Sequence, residues 1–361
     1  MIKLFHPSNH FWKECIEELE TVLASRWWGQ AGQVNEFERL FAEEFAYKHC
    51  LALNSGTAAL ELAYDLIGID EGDEVISPVL TCTATNIPLA RRKANIVFAD
   101  IRKDDLTIDI EDVRQKISEK TKAVVVVTLG GCPVDPAIFK ICSENGVPVV
   151  VDAAQSLGVI EGQGDYICYS FQAIKHFSTG DGGMLVVRSP NEFEKAKRLR
   201  WFGIDREKKI AAGWQPYKNR EMTIEIEEPG YKFHMNDIAA TLGIVGLRHS
   251  EELLTTRKNI AKFYREHLVQ CDHIAGGSYW LYGVLIDERD LCAEKFLAEA
   301  IDVNMVHLRN DRYKVFGGYA RDLPNMNFVE NRYLYIPINS QLTSEETKKV
   351  VTIFNRVVTH L

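Results

Sequence analysis

No C-x-x-C pair occurs in the 361-residue sequence. The eight cysteines (Cys15, Cys50, Cys82, Cys132, Cys142, Cys168, Cys271, Cys292) are scattered, which excludes the common zinc spacings and a disulfide framework. Several stand in apolar runs, as in Ile167-Cys168-Tyr169, where a thiol behaves as a small buried hydrophobe. No uncharged stretch approaches the length of a membrane span, and Met1 to Pro7 lack the apolar core of a signal peptide. Positive charge is not in excess either: 42 Lys and Arg against 51 Asp and Glu leave a formal -9, which argues against a nucleic-acid groove. Repeats, low-complexity tracts and heptads are missing as well. A reducing cytoplasm is the expected location, with neither membrane nor nucleic acid as a partner.

What is present is the length for one large domain and a smaller one, with an apolar fraction of 46% that rules out disorder. Short β-branched runs at 74–77, 95–98, 123–129, 148–151, 166–171 and 184–187 alternate with helical patterns at 58–67, 85–92, 110–118 and 136–145. That order is the order of βαβ units, so an α/β fold with a mostly parallel sheet, covered by helices on both faces, is expected. From about Phe202 to Pro229 charge, Gly and Pro mark a surface excursion. A helical connector follows over Asn236–Leu268, then a strand from Tyr279 to Ile286, a helix from Cys292 to Ala300, a strand from Tyr333 to Ile338 and an amphipathic helix from Ser344 to Val358. These assign 1–247 to the large domain and 248–361 to a small α+β domain.

Four segments carry residue types suited to chemistry. Asn54-Ser55-Gly56-Thr57 runs into a helix, where free amides and a hydroxyl form a phosphate cradle or an ordinary N-cap. Pro78 to Asn86 is a hydroxyl-rich turn whose side chains, Cys82 included, suit the face of a flat ring or plain capping. Asp152 ends a buried apolar run, a costly place for a carboxylate without a partner, and Gln155 follows. Opposite a pyridine nitrogen at ~4 Å that carboxylate gains about 4 kcal/mol before desolvation, or roughly three pKa units, enough to keep the ring protonated. Finally, Ser170 precedes Lys175 among apolar and hydroxyl neighbours, ahead of the Gly-rich turn Thr179 to Gly183. A lysine so placed loses its charge readily and serves as an imine-forming amine.

Cradle, ring turn, strand-end Asp and then Lys is the layout of fold-type I pyridoxal-phosphate transferases, the aspartate aminotransferase-like fold. At these residues, and at Gly32 to Phe41, Gly72 to Ile76 and Gly230 to Asp237, the chain resembles the DegT/DnrJ/EryC1/StrS family of sugar aminotransferases acting on nucleotide-linked keto sugars. The resemblance implies pyridoxal 5'-phosphate as cofactor, held by Lys175 as a Schiff base. Asp152 would face the pyridine nitrogen and Gln155 the ring hydroxyl, and Ser55, Gly56, Thr57 and Ser170 would hold the phosphate. It also implies a homodimer whose Lys232 reaches into the neighbouring site. Two positions depart from the family: Cys82 stands where an aromatic ring commonly stacks, and Lys232 where Asn is common. A family branch with His in place of the lysine dehydrates sugars at C3; counting from Ser170-Phe171 and Gly182-Gly183 puts Lys175, not His176, in register and favours amino transfer. Regulators of this fold usually add a DNA-binding domain, for which this chain has no spare length. Glutamate is the expected donor and a 4-keto-6-deoxyhexose the expected acceptor. His307 and Arg309 are candidates to meet the diphosphate, or belong to a solvated loop. Trp27 and Trp28 either line the site or pack the core.

Overall fold

The apolar runs pair into a seven-stranded sheet of β1 (Cys50–Leu53), β2 (Glu74–Pro78), β3 (Asn95–Ala99), β4 (Thr121–Val127), β5 (Val149–Asp152), β6 (Tyr166–Ser170) and β7 (Gly183–Val187). The computed structural model describes residues 1–6, 11–158, 164–211, 213 and 225–360. Strand order is β1-β7-β6-β5-β4-β2-β3, parallel throughout except for β7, which runs against both β6 and β1. Successive side chains point to opposite faces. Val124 and Val126 of β4 join one core with Phe37 and Phe41 of helix Gly32–Glu44 and Ile244 of helix Asp237–Arg248. Ala123 and Val125 join another with Leu60 and Tyr64 of helix Gly56–Ile67. Burial on both faces is why these strands read as unbroken apolar runs, each fully buried Val contributing about 1.5–3 kcal/mol.

A second sheet of β8 (Asp272–His273), β9 (Tyr282–Leu285) and β10 (Tyr333–Ile336) is antiparallel in the order β10-β9-β8. Its core includes Val284, Phe296 of helix Arg289–Ala298 and Phe354 of helix Ser344–Thr359. Ile2 bridges to Ile301 and packs there too. The expected connector is two helices, Asp237–Arg248 and Ser250–His267, broken at His249. The second runs from the first core at Leu253 to this one at Tyr264. Its buried Arg257 donates through Nη1 to the carbonyls of Tyr279, Trp280 and Ile338 at 3.0, 3.3 and 3.0 Å.

Several expected boundaries move for local reasons. The run 123–129 stops as a strand at Val127, because Gly130 and Gly131 turn with φ of 64° and 93°. The strand expected from Tyr279 begins at Tyr282, since Tyr279 itself has φ 51°. The helix expected over 292–300 spans Arg289–Ala298, and Ala300 turns away with φ 60°. Part of the surface excursion, residue 212 and residues 214–224, lies outside the described residues; helix Arg206–Ala211 within it buries nothing. Among the described residues no helix is long and apolar enough to cross a membrane.

Candidate active site

The carboxyl ends of β1, β2, β5 and β6 open into a cavity of about 850 Å³, the edge where parallel sheets place their ligands. Ser55, Gly56, Thr57, Cys82, Asp152, Gln155, Ser170, Lys175 and His307 all line it.

The cradle is built by close packing. Ser55 Oγ caps helix Gly56–Ile67 by accepting from the Ala58 amide at 3.0 Å, so Gly56 and Thr57, the first helical residues, have no carbonyl in the helix for their amides. The helix start presses onto the ends of β6 and β7: a Cβ on Gly56 would lie 2.8 Å from Ser170 Cβ, and one on Gly183 2.3 Å from the Ser55 carbonyl oxygen. Both positions therefore need glycine. Gly56→Ala should weaken binding of a phosphate-bearing cofactor at least ~10-fold while costing about 1–3 kcal/mol of stability. Absorbance titration and thermal unfolding measure the two effects, and unchanged affinity would refute the cradle.

Across the cavity, Asp152 is buried at the end of β5. Thr85 Oγ1 donates to its Oδ2 at 2.7 Å and the Ala154 amide to Oδ1 at 3.1 Å. Thr81 then donates to Thr85 at 2.8 Å. Burial pushes the carboxyl up, and the Thr85 and Ala154 bonds with the Lys175 charge only partly oppose it. Lys175 comes from the turn after β6, pinned by stacking of Phe171 on Phe177 (5.0 Å between centroids, 10° between planes) and by the Lys175 amide donating to the Gln172 carbonyl at 2.9 Å. Desolvation lowers its ammonium to about 8, against the pull of Asp152. Burial raises the Cys82 thiol, which stays protonated and offers sulfur for packing rather than charge.

Gln155 is held by the Gly130 amide, which donates to Oε1 at 2.8 Å, so its Nε2 donates to His307 Nε2 at 3.0 Å. His307 is thereby the tautomer with its proton on Nδ1, and burial holds its pKa down to about 3. Its backbone is set by Val306, a β-branched residue at φ 63°, a costly conformation of the kind that collects at functional sites. His176 does not reach the cavity; it is buried with Nε2 donating to the Ser278 carbonyl at 3.1 Å. Of these two neighbours, Lys175 alone lines the cavity.

The family profile described as the DegT/DnrJ/EryC1/StrS aminotransferase family matches residues 10–355. The chain belongs to that family. It is 30% identical to GDP-perosamine synthase of Vibrio cholerae over 80% of this chain and 78% of the relative. It is 28% identical to the dTDP-4-dehydro-2,3,6-trideoxy-D-glucose 4-aminotransferase of Saccharopolyspora spinosa over 100% and 97%. The crystal structure of an aminotransferase, TlmJ from Streptoalloteichus hindustanus, superposes with a TM-score of 0.91 at 27% identity, covering 100% of this chain and 99% of that one.

As a DegT/DnrJ/EryC1/StrS member, the protein is a pyridoxal-phosphate aminotransferase. Its residues suit that cofactor. The glycine cradle offers unpaired amides and hydroxyls to a phosphate, and the buried Asp152 has no cation hydrogen-bonded to it among the described residues, a place a ring N–H would complete.

Other expected positions lie elsewhere. Arg309 does not line the cavity: its guanidinium is buried, bidentate to Asp311 at 2.8 and 2.8 Å, with Asn327, Glu330 and the Arg321 carbonyl taking the remaining donors. It has nothing left for a diphosphate, and it anchors the segment that carries His307. Lys232 is exposed outside its own chain's cavity. Trp27 and Trp28 neither line it nor pack the core, being 57% and 52% exposed. The sequence reading missed Leu4, Phe5, Trp280, Asn304 and Tyr313, which also line the cavity. Trp280 fell inside the strand expected from Tyr279 to Ile286, where an indole is ordinary, so nothing in the sequence marked it.

Proposed function

We propose that the enzyme moves the amino group of L-glutamate onto a keto carbon of a nucleotide-linked sugar, a 4-keto-6-deoxyhexose, in amino-sugar synthesis for surface polysaccharide or secondary metabolites. The observation that carries this reading is a Lys175 amine brought down to about 8 in one cavity with a buried Asp152 carboxylate and a glycine-built phosphate cradle. The names of the Vibrio and Saccharopolyspora relatives support a nucleotide-linked sugar as acceptor.

Asp152 would face the cofactor's ring nitrogen, Cys82 the ring face, Gln155 the ring hydroxyl, and Ser55, Gly56, Thr57 and Ser170 its phosphate. When bound, pyridoxal phosphate supplies the carbonyl that accepts the amine and the ring that withdraws electrons. With its pKa near 8, a fraction of the Lys175 amine is neutral at pH 7 and able to take the proton from the donor's α-carbon. His307 stays neutral and offers Nδ1–H to a substrate oxygen.

A homodimer completes this site. Lys175 is the one Lys or Arg among the described residues lining the cavity, whereas exposed Lys232 is free to approach the phosphate in a second copy. The exposed indoles of Trp27 and Trp28 suit burial between copies.

Addition of pyridoxal phosphate should give a yellow band that L-glutamate bleaches and a nucleotide-linked 4-keto-6-deoxyhexose restores, with an amino sugar found by mass spectrometry. The preparation should sediment at about twice the 41.0 kDa chain mass. A band that glutamate leaves unchanged overturns the donor. A product lacking its 3-hydroxyl and carrying no amine establishes dehydration instead.

A further inference from the structure

Lys175 sits between two hydrogen bonds made with one loop of the C-terminal unit. On one side the Trp280 indole N–H donates to the Ile174 carbonyl at 2.8 Å; on the other, His176 Nε2 donates to the Ser278 carbonyl at 3.1 Å. Arg257 holds that loop from behind through the carbonyls of Tyr279 and Trp280. Phe5 and His307 pack on the indole with centroids 5.3 and 6.3 Å away, so the ring has little freedom to turn. In this setting Lys175 Nζ lies 4.0 Å from the Trp280 ring centroid, well inside the range of a cation–π contact.

We propose that the indole face of Trp280 is the docking place of the Lys175 ammonium whenever that amine is not bonded to the cofactor. Of the charged and titratable groups, Asp152 from the end of β5, Cys82 from the turn after β2, neutral His307 and the neighbouring His176 interact with the amine; Asp181, Asp302 and Tyr313 line the same cavity, and Arg257 lies behind the loop. The Asp152 oxygens are turned to Thr85 and Ala154, so among the described residues no carboxylate hydrogen-bonds Nζ and the indole face is the group in contact. This arrangement suits an amine that must leave and return. A direct salt bridge would fix it as ammonium, whereas a π face holds the charge in place and still lets the proton go near neutral pH. The importance of this contact for turnover rests on Lys175 being the lysine that carries the cofactor.

Competitive acetylation tests the contact without the cofactor. Full-length chain freed of pyridoxal phosphate is labelled with trace acetic anhydride across a pH series, and the Lys175 peptide is quantified by mass spectrometry. Wild type should show a midpoint near 8. In Trp280→Leu the midpoint should fall by roughly half a unit to one unit, because the ammonium loses its partner. Trp280→Phe, which keeps an aromatic face but lacks the N–H, should fall less. Equal midpoints in wild type and Trp280→Leu overturn the proposal, as does a Phe variant identical to Leu, which would assign the effect to the Ile174 hydrogen bond. Should Trp280→Leu not fold, ring-fluorinated tryptophan placed at 280 keeps shape and N–H. A midpoint that falls with fluorination then supports the contact, and one that stays put overturns it. A borohydride-fixed pyridoxyl group found on a lysine other than Lys175 would overturn the cofactor reading alone, leaving the labelling series to decide on Trp280.

Discussion

Lys175→Ala is expected to lower amino transfer by ~10,000-fold or more, because in the proposed reading one side chain both holds the cofactor and carries the proton. Lys175→Arg should be as inactive, since a guanidinium does not lose its proton at neutral pH. The fold should survive. The native amine has its pKa lowered to about 8 from 10.5, so between those values the unfolded chain binds the proton that the native state has released. Wild-type stability therefore rises, relative to Lys175→Ala, as pH climbs from about 8 to about 10.5. Below that window the alanine protein should be at least as stable as the parent. Single-turnover assays and denaturant unfolding at several pH values measure both effects. Retained turnover in the alanine protein would remove Lys175 from the chemistry.

Asp152→Asn should separate activity from stability in the opposite sense. Without the carboxylate a bound ring nitrogen loses its counter-charge, and a deficit of roughly three pKa units corresponds to a rate loss of ~1,000-fold. The cofactor-free protein should nevertheless gain on the order of 1 kcal/mol at neutral pH, since a buried charge is exchanged for an amide. The amide fits the same network: its oxygen accepts from Ala154, and its NH₂ donates to Thr85, whose hydroxyl turns to donate to Thr81. The sign with pH follows from the raised native pKa. The native Asp152 keeps its proton to higher pH than the unfolded one, so wild-type stability falls across that interval and the Asn protein's does not. Full activity in Asp152→Asn, or a less stable cofactor-free protein, would contradict this role.

Local chemistry explains what was legible beforehand. Ser55 caps a helix next in sequence, Asp152 ends its own strand, and Lys175 follows β6 by a short turn, so each announces its place within a few residues. The four residues of β1 are apolar and wholly buried, a pattern a helix interior shares, and the strand went unassigned. Helix Trp12–Ala24 buries Val22 alone, too thin a stripe to mark a periodicity. Arg309 read as an anion site because its donors are visible in sequence, whereas Glu330 and Asn327, which occupy them beside Asp311, arrive from about 20 residues away. Trp280 meets Lys175 across roughly 100 residues of chain, through a turn at Tyr279 whose positive φ no glycine foretells.

The reversed strand β7 also sets a timetable. β1 pairs with β7 alone in the sheet, so its residues leave the ribosome roughly 130 residues ahead of their partner, a wait of about 7–26 s at ordinary synthesis rates. Until then Cys50 to Leu53 lack their neighbouring strand, and the helix that follows has only part of its core, Val75, Ala123 and Val125 among it, to pack against. The phosphate cradle spans the same junction, with Gly56 on the early side and Ser170 and Gly183 on the late side. Chains released before β7 is made should therefore be blind to pyridoxal phosphate, and the cofactor joins a nearly finished domain rather than guiding its assembly.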